Sequence, residues 1–392
     1  MPFLRCHQSE LNLDVVLLNG QSFRWRKAVL GGAERERPGR QCFFGAAKHR
    51  FWKLWREDEM NIGYEVMARF AKCCGDDENA LRNYFQLDIS LNSLYMQWKK
   101  ADENFAKALT LSGSLLEGVR MVAQDPTESI FSFICSSNNN IKRISRMVER
   151  LCELYGESLT NIVLPDQKTV YDFADISRMA ADEDMESKLR ASGFGYRAAY
   201  LHQTAKKLAE LGGESWVEEL ANKSYDEAKE GLQSLPGIGP KVADCICLTS
   251  LGKPAVVPVD THVFQITAAL YMPQLNEHKS LNKATYNQIG DIWRQKFGDY
   301  AGWAHTVLFS AQLRHFDAKS RIVKVKETKS KKRKVIRTEA IRRNSQNGCK
   351  ATNGFTRKES KQLRQKKKSS NLEVKNLRKS SRLNRNGEAI VK

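Results

Sequence analysis

Hydrophobic and polar positions change their spacing along the chain, and the change divides it into three parts. In roughly the first hundred residues, "QCFFG" and "RFWKLWRE" are short aromatic segments typical of strands. The Asn19-Gly20 pair inside "LDVVLLNGQSFRWRK" predicts a tight turn between two strands. The charged, Gly- and Pro-containing segment 31–39 predicts a loop. A helix over "ENALRNYFQLD" then leads out of the sheet.

From about Leu115 the spacing becomes helical. Residues 125–128, "DPTE", predict a helix start with an aspartate N-cap, a proline in the first turn and a capping-box acid. After a break at "NNN" (138–140), "IKRISRMVERLCELYG" has apolar residues three and four apart. Ser224 and Glu227 predict a second capping box. Further helices are expected around 197–212, 224–234, 240–251, 261–272, 282–296 and 301–315.

After Asp317 the sequence is rich in Lys, Arg, Ser and Asn and almost without aromatic residues. Such a segment cannot bury enough apolar surface to offset its ordering entropy, so we expect it to be disordered. The predicted fold class is therefore α+β. It comprises an N-terminal antiparallel β-sheet domain (1–114), an all-α domain (115–317) and a disordered basic tail (318–392).

The net charge of +19 is distributed unevenly. Residues 318–392 contain 26 Lys and Arg against 5 Asp and Glu, whereas residues 1–317 contain 38 against 40. Nucleic-acid binding by the folded part must therefore come from local patches and not from a global field. The run Lys329–Lys334 predicts a nuclear-import signal, with Lys366–Lys368 as a second half. The alternative is a merely solvated, adhesive tail.

Several classes of protein are excluded. No apolar run reaches the roughly 20 residues of a membrane span, and "MPFLRCHQSE" lacks the features of a secretory or import leader. We expect a soluble intracellular protein. The nine cysteines have no zinc-finger, iron–sulfur or disulfide spacing. No metal site is predicted, and reduced thiols are expected.

The segment "SYDEAKEGLQSLPGIGPKVADCICLTSL" predicts two helices joined by a tight turn. Gly237 and Gly239 allow a sharp bend and a close approach to another surface, and Pro240 fits the first turn of the second helix. The exposed amides at that turn suit a phosphate. The pattern indicates a helix-hairpin-helix that grips DNA without reading its sequence, although glycine hairpins also occur for packing alone.

Lys241 stands in the first turn of the second helix, at the positive end of the helix dipole. An ammonium is disfavoured there, so we expect a lowered pKa and a nucleophilic amine. Cys245 lies one turn further on the same face. Two readings stay open for it, a thiolate paired with the lysine and a small buried thiol.

Asp260 follows the apolar run Val256–Val259 and precedes a helix that begins near Thr261. As an N-cap it would accept backbone amides and stay ionised. Capping alone would account for it. Facing a perturbed lysine across a cleft, it is better explained as an electrostatic stabiliser of a developing cationic sugar.

These residues resemble the helix-hairpin-helix, Gly/Pro-rich, aspartate family of base-excision DNA glycosylases. The resemblance is to its eukaryotic 8-oxoguanine glycosylase/lyase branch. It extends through "NGQSFRWR", "NYFQLD", "QDPTESIFSFICSSNNNIKRI", "GFGYRA" and "GDYAGWAHTVLFSAQLR", and so covers nearly all of 1–317 in order. It implies a cofactor-free, monomeric nuclear enzyme that excises 8-oxoguanine opposite cytosine from double-stranded DNA. A mitochondrial form is not indicated.

The resemblance also assigns roles. Lys241 attacks the sugar C1′ and forms a Schiff base that permits β-elimination, and Asp260 stabilises the oxocarbenium-like charge. Extrusion of the target base costs roughly a few kcal/mol. The damaged-base pocket would consist of Gly20 (whose carbonyl senses the extra N7 proton), Cys245, Pro258, His305 and Phe309. The DNA contacts would be Asn138, Arg143 and Arg197 on the orphaned cytosine, Tyr196 as a wedge, and Gly237, Gly239 and His262 on phosphates.

One position departs from the family. His305 stands where the family has a glutamine that reads the Watson–Crick edge. A neutral histidine also offers one donor and one acceptor, but it ordinarily titrates near neutrality. We therefore expect weaker or more pH-dependent base recognition. Two other functions remain open, a non-catalytic DNA-binding protein and a glycosylase for a different damaged purine.

Overall fold

The computed structural model describes residues 2–29, 40–159, 169–277 and 281–311. The predicted 31–39 loop, the basic tail and its import signal lie outside these ranges. In the described residues, five strands form one antiparallel sheet in the order β1-β5-β4-β3-β2. The strands are β1 Phe3–Arg5, β2 Arg26–Val29, β3 Gln41–Ala47, β4 Arg50–Arg56 and β5 Asn61–Arg69, and a separate pair is β6 Ser158–Leu159 and β7 Val170–Tyr171.

The aromatic segments predicted as strands are confirmed as β3 and β4, which pair with Phe43 opposite Leu54. Strand β4 is buried on both faces. Trp52 belongs to one apolar cluster, and Trp55 belongs to the cluster on the other side. This double burial explains why apolar residues occur on both faces of the strand and do not alternate strictly with polar ones.

The predicted hairpin at Asn19-Gly20 is wrong. The residues before it form a short helix, Leu13–Val16, because the Asn12 side chain accepts a hydrogen bond from the Val15 amide at 3.3 Å. The helix buries Leu13, Val15 and Val16, which a strand would have divided between two faces. Gly20 still occupies a turn, with a φ of +94°.

Helices account for most of the other described residues. At the start of α5 the predicted N-cap Asp125 and first-turn Pro126 are confirmed, but the predicted capping box is not. The Asp125 side chain accepts from the Glu128 amide at 2.8 Å, but Glu128 does not return the bond and contacts Gln124 and Arg24 instead. The helices are α1 Leu13–Val16, α2 Asp77–Tyr84, α3 Leu91–Ala101, α4 Glu103–Ser112, α5 Pro126–Ser136, α6 Ile141–Tyr155, α7 Ile176–Ala181, α8 Met185–Ala191, α9 Arg197–Leu211, α10 Glu214–Asn222, α11 Tyr225–Gln233, α12 Pro240–Ser250, α13 Thr261–Leu270, α14 Lys283–Phe297 and α15, 301–311.

The α+β class is confirmed, with a correction to where helix begins. Helices α3 and α4 precede Leu115, in the part that the sequence predicts as β-rich. The main apolar cluster includes Phe23 beside the sheet as well as Leu308 in α15, so one core supports both kinds of structure. The boundaries at 114/115 and 317/318 stay predictions. None of the described helices is long and apolar enough to cross a membrane.

Candidate active site and DNA-binding surface

The hairpin between α11 and α12 has the predicted form. The reciprocal capping box of Ser224 and Glu227 starts α11. Gly237 has a φ of +81°, and a Cβ there would lie 2.8 Å from the Tyr200 side chain, so the turn requires glycine. Gly239 has an ordinary φ of −87°, and none of the described atoms lies within 4 Å of a Cβ placed there. The bend therefore depends on Gly237, while Gly239 faces open space.

Helix α12 begins without a side-chain cap. Its first-turn amides are therefore available to an anion, as the phosphate prediction requires. Lys241 is the second residue of this helix, and its Nζ lies 5.9 Å from the centre of the Phe133 ring. The lysine is half-buried.

The pKa of Lys241 differs from the prediction. The neighbouring Cys245, followed by the Asp260 carboxylate, raises the pKa of Lys241 above its ordinary value, and burial opposes this only in part. The expected lowering is therefore wrong for the protein without DNA. The Cys245 thiol, once ionised at alkaline pH, and the Asp260 carboxylate together outweigh the helix dipole, because full charges interact more strongly with the ammonium than a terminal partial charge does.

Cys245 is buried on the same face of α12. Burial raises the pKa of its thiol more than the Lys241 charge lowers it. Of the two readings left open, the structure favours a neutral thiol near neutral pH.

Asp260 is confirmed as the N-cap of α13. One of its carboxylate oxygens accepts the amides of His262 and Val263, both at 2.9 Å. The carboxylate also interacts electrostatically with Lys241. Within the described chain, however, no ion pair of 4.0 Å or less joins Asp260 to Lys241. The two groups therefore face each other without direct contact.

Four aromatic rings are in contact with one another near this pair, and one of them, His305, interacts electrostatically with both Lys241 and Asp260. Phe309 and His305 are one turn apart on α15, with ring centres 5.9 Å apart and planes inclined by 33°. The His262 ring meets Phe309 edge-on, also at 5.9 Å. Trp293 of α14 meets the other side of His305 at 5.5 Å. Because Lys241 of α12 also interacts with His305, predicted site residues from α12, α13 and α15 lie close together.

His305 has an unusual environment. It is 7% exposed, and neither ring nitrogen has a partner that meets full hydrogen-bond geometry, although the Gly302 carbonyl one turn earlier lies near enough to favour the protonated ring. Burial lowers the pKa of His305 to about 4, although the Asp260 charge opposes this. The expectation that it titrates near neutrality is therefore wrong. A buried neutral imidazole with two unpaired nitrogens is costly, by about 1–3 kcal/mol for each unpaired group, and such a group is typical of a site that a ligand completes.

The other two predicted pocket residues are Gly20 and Pro258, and the ring contacts described above do not include them. Pro258 is buried in the segment that leads to Asp260. A Cβ at Gly20 would lie 3.3 Å from the Ile141 side chain, at the start of α6. The structure therefore places Gly20 beside the "NNN" turn, and its pocket role stays a prediction.

The predicted DNA contacts form a connected surface around that turn. Asn138 is exposed and has a φ of +46°. Arg143 donates to the Gly193 carbonyl at 3.0 Å. Tyr196 is 50% exposed, and its hydroxyl donates to the Ser137 carbonyl at 3.2 Å.

Arg197 is buried at 3% exposure, unlike its neighbours. Its Nη2 donates to the carbonyls of Ser137 and Asn138, the latter at 3.2 Å. Its guanidinium lies 4.5 Å from the centre of the Tyr196 ring. In this state Arg197 holds the turn that carries Asn138, so a contact with cytosine would require these bonds to rearrange.

Sequence reasoning missed one charged residue at the centre of α12. Asp244 is 1% exposed and pairs with Lys229 at 2.9 Å. A lone acid within the apolar run "VADCICL" was the available signal, because a buried carboxylate must find a partner. Phe133, beside Lys241, carried no such signal.

A cavity of about 330 Å³ lies elsewhere, between the β3–β4 turn and the start of α5. It is lined by charged residues such as Arg24, His49 and Asp172, and by none of the predicted site residues. It therefore lies apart from the lysine site. Among the described residues no group of three His, Cys, Asp or Glu side chains is placed to hold a metal ion.

Comparisons with known proteins agree with this geometry. The profile of the 8-oxoguanine DNA glycosylase N-terminal domain matches residues 3–130. The profile of the HhH-GPD superfamily of base excision DNA repair proteins matches residues 131–294. Two profiles thus account for the sheet part and for the helical part that carries the hairpin, the lysine and the aspartate.

Individual relatives cover most of the chain. An N-glycosylase/DNA lyase of Saccharomyces cerevisiae is 35% identical over 337 residues, which are 79% of this chain and 85% of that protein. The N-glycosylase/DNA lyase OGG1 of Arabidopsis thaliana is 33% identical over 79% of this chain and 80% of its own length. The Clostridium acetobutylicum 8-oxoguanine glycosylase/lyase, solved with double-stranded DNA containing cytosine opposite 8-oxoguanine, is 26% identical with a TM-score of 0.62. That alignment covers 78% of this chain and 93% of that one.

Proposed function

Because the chain belongs to the HhH-GPD superfamily of base excision DNA repair proteins and also carries the 8-oxoguanine glycosylase N-terminal domain, we propose that it excises 8-oxoguanine from DNA and then cleaves the strand. The protein is a bifunctional N-glycosylase/DNA lyase that needs no cofactor. The observation that carries this conclusion is the group of Lys241, Asp260 and His305, which interact electrostatically within one buried site.

Lys241 is the nucleophile. Its Nζ forms a bond to the sugar C1′ as the glycosidic bond breaks, and the purine leaves with the electron pair. One proton of the attached amine neutralises the departing base. The sugar ring then opens as its C1′–O4′ bond breaks, O4′ takes up a proton from solvent, and the protonated imine is left. The imine then acidifies the adjacent C2′ position, so that β-elimination expels the 3′ phosphate. A raised pKa means that the lysine rests as an ammonium, and it must lose a proton before it attacks.

Asp260 stabilises the positive charge that develops on the sugar as the base departs. Its two backbone hydrogen bonds fix the carboxylate before substrate arrives, so that little reorganisation is needed in the transition state. Because it has no direct ion pair with Lys241, its charge remains available to a sugar placed between them.

The extruded base enters beside Phe309 and Cys245. Phe309 provides a ring face for stacking, and Pro258 closes the pocket. The unpaired nitrogens of His305 offer one donor and one acceptor to the Watson–Crick edge, in place of the family glutamine. Gly20 senses the N7 proton that 8-oxoguanine has and guanine lacks.

The exposed surface of Asn138, Arg143 and Tyr196 holds the opposite strand, with Arg197 joining after its carbonyl contacts open. The hairpin at Gly237 and Gly239, together with His262, binds phosphates of the lesion strand. Tyr200 connects the hairpin to the surface that holds the opposite strand. Its side chain packs against Gly237, and its ring centre lies 6.1 Å from that of Tyr196.

The protein acts as a monomer in the nucleus, in keeping with relatives that are DNA lyases and with the import-type composition of Lys329–Lys334. Alanine replacement of this run in a fluorescent fusion should release the protein into the cytoplasm. Retention in the nucleus would contradict the proposed import signal and leave the enzymatic assignment untouched.

The deciding experiment is borohydride trapping on 8-oxoguanine duplexes with each of the four opposing bases. Wild type should form a covalent adduct, most with cytosine, and Lys241→Gln should form none. An undamaged duplex is the matched control. Binding without an adduct would indicate a non-catalytic DNA-binding protein, and an adduct only on other lesions would indicate a different purine specificity.

A further inference from the structure

A second charged cluster lies on α12, next to the reactive residues but turned away from them. Its centre is Asp244, three residues after Lys241 and directly before Cys245. The Lys229 ammonium lies 2.9 Å from Asp244 Oδ1 and 3.2 Å from Oδ2. The hydroxyls of Tyr225 and Tyr286 donate one to each carboxylate oxygen. The carboxylate is thus fully paired although it is buried.

The two tyrosine hydroxyls differ in what they accept. Tyr225 accepts from Lys229 at 2.7 Å, so its contacts remain within the cluster. Tyr286 accepts from the backbone amide of Val259 at 3.2 Å. Val259 directly precedes Asp260. The Tyr286 hydroxyl therefore joins the backbone that carries Asp260 to the helix that carries Lys241.

The hydrogen bonds from Asp244 through Tyr286 to Val259 can hold the backbone beside Asp260 in place. Burial, and then the Asp244 charge, raise the pKa of both tyrosines, so both hydroxyls keep their protons and donate to the carboxylate. The Lys229 ammonium also lies over both rings, 5.1 Å from the centre of Tyr225 and 5.2 Å from that of Tyr286, and this contact restrains them further. A fully paired network in a low-dielectric interior is stiff.

We propose that Tyr286 is a positioning residue for base excision, because its hydroxyl links the Val259 amide to the Asp244 carboxylate and so sets Asp260 opposite Lys241. The proposal rests on the proposed function, since it assigns Tyr286 a role in the step that these two residues perform. Tyr286 touches neither substrate nor the reacting atoms. It acts through the backbone next to Asp260.

Tyr225 provides a matched control. Each tyrosine is half-buried, each hydroxyl donates to Asp244, and each accepts one hydrogen bond. Replacement by phenylalanine removes the same number of contacts from the same carboxylate in both cases. The two variants differ in which donor loses its acceptor: the Val259 amide beside Asp260 in Tyr286→Phe, and the Lys229 ammonium, which keeps Asp244, in Tyr225→Phe.

The experiment measures single-turnover excision of 8-oxoguanine at saturating full-length protein for wild type, Tyr286→Phe and Tyr225→Phe. Thermal unfolding and amide hydrogen exchange of the 256–260 segment are measured on the same preparations. We expect Tyr286→Phe to slow excision about tenfold with unchanged DNA affinity and faster exchange, since misplacement by about 1 Å costs on the order of a hundredfold. Tyr225→Phe should slow excision less than about twofold at a similar melting temperature.

Equal slowing in the two variants would overturn the proposal, because the rate would then follow stability alone. A Tyr286→Phe variant as fast as wild type would overturn it as well, while leaving the proposed function intact. If wild type itself did not excise the base, the proposed function would fail and this inference with it. The wild-type reaction alone identifies that case.

Discussion

Two lysine–carboxylate pairs meet on helix α12 and differ in almost every respect. Asp244 and Lys229 are in direct contact at 2.9 Å and are completed by two tyrosine hydroxyls. Lys241 and Asp260 interact without a direct ion pair, and the nearby His305 has two unpaired nitrogens. The Asp244–Lys229 pair has all of its partners within the protein. The Lys241–Asp260 pair and its neighbour His305 keep groups that can bind a substrate.

The comparison shows how one helix serves structure and chemistry together. A buried pair stabilises only when all of its lone pairs and protons are matched, and Asp244 meets this condition. A reactive pair must instead keep groups available, which costs stability in the free protein. The saturated pair therefore supports the unsaturated one, and substitutions in the two should have opposite consequences.

The largest contrast is expected between the two lysines. Lys241→Gln should lower excision and adduct formation by at least about a thousandfold, because the nucleophile is gone, with little change in the free energy of unfolding. Lys229→Gln should cost about 3–5 kcal/mol of stability, because it leaves the buried Asp244 carboxylate without a counter-charge, and should still form the adduct. Urea unfolding and borohydride trapping measure both. Loss of trapping in folded Lys229→Gln would abolish the distinction.

The same contrast between activity and stability is expected for the two carboxylates, Asp260 and Asp244, with a smaller loss of excision rate. Asp260→Asn should slow excision by about a hundredfold to a thousandfold, because it removes a preorganised charge. It should stay stable to within about 0.5 kcal/mol, because asparagine caps helices as well as aspartate. Asp244→Asn should instead lower the melting temperature, because it leaves Lys229 without a counter-charge. Single-turnover rates and thermal unfolding separate the two. An Asp260→Asn variant with full activity would refute the electrostatic role.

The pH dependence of excision tests the coupling of Lys241 to Cys245. Because the pKa of Lys241 is raised, the free amine is scarce near neutrality and the rate should increase with pH. Cys245→Ser removes the largest cause of the raised pKa, so the rising limb should move to lower pH, with a tenfold rate gain for each unit of displacement. The control is the excision rate on the plateau at high pH. Movement to higher pH would show that the thiol does not raise the lysine pKa.

The smallest effect is expected at His305. With a pKa of about 4 the imidazole is neutral throughout the working range, so His305→Gln should leave the shape of the pH profile above pH 5 unchanged. It should alter the ratio of rates for 8-oxoguanine and 8-oxoadenine several-fold, because the two bases differ at the Watson–Crick edge. Competition between the two duplexes gives the ratio. An unchanged ratio would mean that His305 does not read the base.

The sequence by itself determined the α+β class, the helix-hairpin-helix formed by α11 and α12, and the positions of Lys241 and Asp260. These features follow from local physics. Residue spacing sets the helices, a proline and a capping aspartate set their starts, and only glycine tolerates the φ of +81° at Gly237. The same local reasoning failed at Asn19-Gly20, where burial of Leu13, Val15 and Val16 overrode the turn signal.

Only the tertiary structure decided the charge states and the support of the site. The pKa values of Lys241 and His305 depend on Cys245, on Asp260 and on burial, and these groups come from α12, from α15 and from the N-cap of α13. The link from Asp244 through Tyr286 to Val259 joins residues up to 42 positions apart. Electrostatic interactions depend on distance in space and on local solvent, and neither quantity is encoded in the spacing of residues along the chain.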